Sequence, residues 1–148
     1  MGNFFRELAY NHVLWTTLTA WLTASLLKGI FHYMKEKKVN FRRFIGAGGM
    51  PSTHSALVAS LTTAVGIETG WNSATTAIAI IVAMVVMYDA AGVRRAAGRQ
   101  AATLNKIADE MFKDGEFHQE RLIELLGHTP VEVIAGAALG IVMAVILR

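Results

Sequence analysis

A chain of 148 residues, 53% hydrophobic, 17% charged and without cysteine, suits one domain and excludes disulfides and thiolate metal sites. A mean hydropathy of +0.40 argues against a soluble fold. The net charge of +3 is a poor case for nucleic acid, because the cations flank apolar stretches and no groove-reading or base-stacking motif accompanies them.

Four apolar stretches follow one another: Val13–Met34, Ser55–Thr69, Ala74–Ala91 and Val131–Leu147. A bilayer-crossing helix needs about 20 mostly apolar residues. The second stretch is short, and spans only with tilt, local thinning or inclusion of the preceding turn. A soluble bundle is the rival, but its helices would each show a polar face, and Ala74–Met87 has essentially none. Behind Arg6, Val13–Leu27 imitates a signal peptide, yet the stretch is long enough to stay as an anchor. The sequence thus predicts an all-α, four-span membrane bundle forming one domain over residues 1–148. Lys28, near one end of the first span, reads as a lysine whose stem reaches the interface.

Between the first two spans lie Lys35, Arg42 and Arg43, then Gly48-Gly49-Met50-Pro51-Ser52-Thr53-His54-Ser55. Backbone N–H groups exposed where a glycine turn opens a helix attract anions. Pro51 suits the first turn of that helix, where a missing N–H costs nothing. His54, one turn on, adds a side chain able to move protons near neutral pH.

Arg94 and Arg95 follow Asp89-Ala90-Ala91-Gly92-Val93 at the end of the third span. Such arginines anchor headgroups or set topology, but a pair facing an anion turn also clamps phosphate oxygens, and Asp89 suits them as a partner. In the long loop, Leu104, Ile107, Ala108 and Met111, then Phe117, Arg121, Leu122, Leu125 and Leu126, recur at helical spacing. They predict two short amphipathic helices over the membrane face.

Gly127-His128-Thr129-Pro130-Val131-Glu132 opens the fourth span. Thr129 and Glu132 fit a capping box. His128 and Glu132, four apart, also meet if the helix begins by His128, and a carboxylate then fixes the ring tautomer. These readings compete over where the helix starts. His12, His32 and His118 lack such company and read as interfacial or solvated, and Gly136 and Gly140 read as a close-packing pair, within the chain or across a dimer. Four spans put loops 35–54 and 92–130 on one basic side, cytoplasmic by the positive-inside rule.

The stretches G-G-M-P-S-T-H-S-A, D-A-A-G-V-R-R-A-A-G-R-Q-A and L-G-H-T-P-V-E resemble the divergent branch of the type 2 phosphatidic acid phosphatase family, related to acid phosphatases and vanadium haloperoxidases. The resemblance covers nearly all of the chain from Lys28 onward. It implies a hydrolase in a bacterial cytoplasmic membrane that removes phosphate from a lipid or polyprenyl phosphate or diphosphate, without metal or cofactor, through a phosphohistidine. It also implies the roles. His128 attacks phosphorus, Glu132 orients its ring, and His54 protonates the leaving oxygen and then activates water. Lys35, Arg42, Arg43, Gly48, Gly49, Ser52, Arg94 and Arg95 hold phosphate.

The chain departs from the wider family's pattern. Its first motif lacks proline, Thr53 stands where glycine is common, and Glu132 replaces aspartate. Ala96–Gly127 separates arginine from histidine, so which arginine belongs to the motif stays open. Four spans replace six. The rival class is a non-catalytic membrane protein that binds anionic headgroups or transports a phosphorylated solute. Vanadate-dependent peroxidase chemistry has only the vanadate-ligating potential of His128 behind it. Whether one chain or a homodimer completes the site stays open too.

Overall fold

The computed structural model describes residues 2–37, 49–111, 122 and 127–148, with the side chains of Lys35, Arg94, Arg95, Glu110 and Met111 outside the description. Within those residues the protein is all-helical: α1 (Gly2–Ala9), α2 (His12–Glu36), α3 (Thr53–Thr69), α4 (Ala74–Ala91), α5 (Val93–Met111) and α6 (Pro130–Ile146). Two of the expected spans have helices long and apolar enough to cross a bilayer: α2, over His12–Met34, and the helix opening at Ala74. α6 is a shorter apolar helix. At about 25 Å, α3 and α6 also fall short of a typical hydrocarbon core.

Local chemistry sets the helix starts. Asn11, Ser52, Ser73 and Thr129 each cap the following helix by accepting a first-turn backbone N–H, which satisfies one of the donors a helix start leaves orphaned. Pro51 is displaced from the helical turn expected of it. Ser52 takes the cap, so Pro51 precedes the helix, joined to Met50 by a cis peptide bond.

The core is built from small residues. Ala20, Ala24, Ala56, Ala59, Ala79, Ala83 and Ala144 are buried, which lets the backbones approach closely. Gly136 and Gly140 lie against α3. A Cβ on Gly136 would collide with the Ser52 carbonyl, and one on Gly140 with that of Ala56. The pair therefore locks α6 to α3 inside one chain, and the dimer alternative for these two glycines falls away. The matching four-residue steps make α3 and α6 parallel, with their N-termini side by side.

α2 runs the opposite way. Lys28, in its second half, touches Gly49 ahead of α3, while His12 and Thr16 near its start share a cavity with Glu68 and Arg148 at the far ends of α3 and α6. α4 returns along α3, and the Thr62 hydroxyl, bonded to Val58 O, also donates to Ala79 O at 3.1 Å. At the turn, Thr76 donates to Gly70 O at 2.8 Å and lies beside Ser73. The outward faces stay apolar: Ile78, Ile81, Met84 and Val85 on α4 and Val131, Ile134 and Val145 on α6 are exposed, as lipid-facing surfaces are.

The long loop differs from expectation. Gly92 interrupts the chain for one residue, and α5 runs unbroken through 19 residues. Its apolar positions Leu104 and Ile107 are exposed. Arg94 and Arg95 therefore sit in the first turn of a helix, not in a loop. The second amphipathic helix, and His118, lie outside the described residues, except that Leu122 exchanges two hydrogen bonds with the Asn105 side chain, at 2.9 and 3.1 Å.

Candidate active site

Both histidine segments are launched by a glycine. Gly49 (φ +92°) and Gly127 (φ +98°) adopt the left-handed backbone that glycine tolerates best. They turn the chain into α3 and α6 at the same end of the bundle. The starts are then tied together: Ser52 N donates to Glu132 O at 3.0 Å, and His128 N donates to Ala90 O, at the end of α4, at 2.9 Å. The positive ends of two parallel helix dipoles thus converge on one place, an electrostatic setting for an anion.

His54 and His128 meet there, with ring centroids 6.2 Å apart and planes at 61°. His128 is 2% exposed and His54 is half-buried. His128 Nδ1 lies 3.0 Å from Glu132 Oε2. The same oxygen accepts the Thr129 N–H at 3.2 Å, while Thr129 Oγ1 accepts the Glu132 N–H at 3.3 Å. The two competing readings of Glu132 are both realised, because one carboxylate oxygen reaches the cap amide and the ring together. With Nδ1 engaged, Nε2 is the nitrogen left for chemistry.

The other expected residues divide. Ser52 is fully buried, and its Oγ accepts from Ser55 N at 3.3 Å and from Ser55 Oγ at 3.0 Å. Because its amide also bonds Glu132 O, Ser52 ties the turn to the start of α6. Gly49 adjoins the site. Lys35, in the last turn of α2, and Arg94 and Arg95, in the first turn of α5, lie at this same end by helix position. Gly48, Arg42 and Arg43 lie outside the described residues. Asp89 is half-buried beside Ala90. Among the described residues, no group of three His, Asp or Glu side chains gathers as metal ligands would.

Two assignments change. Lys28 does not reach outward. It is 4% exposed, and its Cε lies 3.2 Å from where a Cβ of Gly49 would stand, so a side chain at Gly49 would crowd this stem beneath the turn. A charge within an apolar span is costly and marks function by default, a signal that proximity to the span end obscured. Of the two readings of His32, interfacial or solvated, its 14% side-chain exposure and the 3.4 Å from its Nε2 to Glu36 set aside the solvated one.

Comparison with known proteins identifies the family. The model of the divergent PAP2 family matches residues 9–143. The chain is 38% identical to the uncharacterized membrane protein YuiD of Bacillus subtilis (strain 168), over 95% of this chain and 96% of that protein. No solved structure matches it. A match over residues 9–143 makes the protein a member of the divergent PAP2 family.

Proposed function

We propose that the protein is a four-span integral membrane phosphatase that hydrolyses a lipid or polyprenyl phosphate or diphosphate through a phosphohistidine, without metal, on the basic and cytoplasmic side of the membrane. The observation behind this reading is the pairing of His54 with a His128 ring held by Glu132, where two helix N-termini converge. α3 and α6 span with tilt or local thinning. The site then lies at headgroup depth, which favours an amphiphilic substrate.

The chemistry follows from the nitrogens. His128 Nε2 attacks phosphorus as Glu132 steadies the ring, and the bond to the leaving oxygen breaks as His54 protonates that oxygen. His54, now neutral, removes a proton from water. The water oxygen then displaces His128 from phosphorus, giving inorganic phosphate and restoring both rings. Lys28, Lys35, the arginines and the helix-start amides offset the charge that builds on the phosphoryl oxygens.

The test is phosphate release by the detergent-solubilised protein from phosphatidic acid, phosphatidylglycerophosphate and polyprenyl diphosphate with EDTA present, alongside His54→Ala and His128→Ala. Turnover lost in both variants supports the reading. No turnover by the wild type on any of these lipids overturns it for this panel and favours headgroup binding or solute transport.

A further inference from the structure

At the opposite end of the bundle, roughly 20 Å from the histidine pair along the helices, lies a cavity of about 380 Å³. The start of α2 and the ends of α3 and α6 border it, and one side is open. Buried Thr16, Ala64 and Ala144 line its depth, and exposed His12, Glu68 and Arg148 stand around it. His12, read from the sequence as interfacial or solvated, thus has company that only the fold supplies.

The charges in this cavity are opposed but not joined. Glu68 and Arg148 line the same space, yet among the described residues neither closes an ion pair with the other. Two of the three helix dipoles act in the same sense: the start of α2, where His12 sits, is a positive end, and the negative end of α3 lies beside Glu68, while Arg148 follows the negative end of α6 and offsets it. A ligand suited to this cavity carries both charges a few bonds apart. Its cation is small and able to donate hydrogen bonds to a carboxylate, and its anion accepts from a guanidinium and an imidazole. The volume lies within the range of small-molecule sites.

We propose that this cavity binds a zwitterion combining a primary ammonium with a phosphate, the chemistry of an ethanolamine phosphate headgroup, with Glu68 on the ammonium and Arg148 and His12 on the phosphate. The site rests on the membrane placement proposed above and is independent of the phosphatase chemistry. The same chemistry is available from a lipid of the opposite leaflet or from free phosphoethanolamine. A quaternary ammonium offers Glu68 no N–H donor, and a glycerol headgroup offers it no cation.

The test is native mass spectrometry of the full chain in detergent, offered phosphatidylethanolamine, phosphatidylcholine and phosphatidylglycerol with matched acyl chains. Free phosphoethanolamine serves as competitor, and Glu68→Gln and Arg148→Gln as variants. Both positions are exposed, so neither variant threatens folding. We expect the ethanolamine lipid to be retained about tenfold over the other two, the scale of a charge-assisted hydrogen bond, and each variant to lose that preference. Displacement by phosphoethanolamine would assign the site to the free headgroup and persistence to the lipid, and either supports it. Equal retention of the three lipids, or a preference that survives both variants, overturns it. The readout is binding, so a protein without phosphatase activity tests the proposal equally well.

Discussion

His54 and His128 enter the fold on different segments and meet edge to face, their ring centroids 6.2 Å apart. The meeting depends on backbone ties. Ser52 N bonds Glu132 O, and Gly136 and Gly140 let α6 lie directly on the α3 carbonyls. The proposed mechanism gives the two rings different halves of one reaction, and the variants separate the halves.

Replacing His128 with alanine removes the proposed nucleophile, and phosphate release should fall by about 10³-fold or more. His54→Ala should act differently on a substrate whose leaving group needs no proton, such as p-nitrophenyl phosphate. Phosphorylation of His128 then continues while hydrolysis slows by about 10²–10⁴-fold. An acid-labile phosphoenzyme should accumulate, visible with radiolabelled phosphate, and should be missing from the double variant.

Glu132 serves the ring and the cap, and two substitutions distinguish those duties. Thr129→Ala removes the cap acceptor and should cost about 1 kcal/mol of stability, with kcat close to wild type. Glu132→Gln keeps the side chain's length but loses the charge beside His128. It should lower kcat by about 10–10²-fold with little change in thermal unfolding. Equal kcat losses in the two would show that capping alone explains Glu132.

Lys28 should contribute charge rather than packing. Lys28→Met keeps an apolar stem against Gly49 and should lower kcat/KM by about 10–10²-fold, while the helix content read by circular dichroism is unchanged. An activity equal to wild type would remove Lys28 from the site.

Gly136→Ala places a methyl against the Ser52 carbonyl. Overpacking of this kind costs about 1–3 kcal/mol, and the displaced turn carries His54 with it. Thermal unfolding in detergent and phosphate release should therefore decline together, whereas Ile134→Ala, on the exposed face, should change neither in detergent.

The sequence by itself determined the helical character of the chain and the boundaries of its apolar helices, because hydropathy and capping residues act over a few neighbours. Thr129-Pro130-Val131-Glu132 announced the start of α6, and the three family motifs announced both histidines. Local pattern also explains the miss at Pro51, since proline and serine both mark a helix start and only the folded turn shows that Ser52 caps it. Tertiary structure decided what distant segments share: Lys28 beneath Gly49, His54 against His128, and His12 in one cavity with Glu68 and Arg148. The reason is physical. A side chain's helix follows from its neighbours in sequence, but its chemical partners follow from which backbones pack closely, and in this bundle glycine and alanine contacts between non-adjacent helices set that packing.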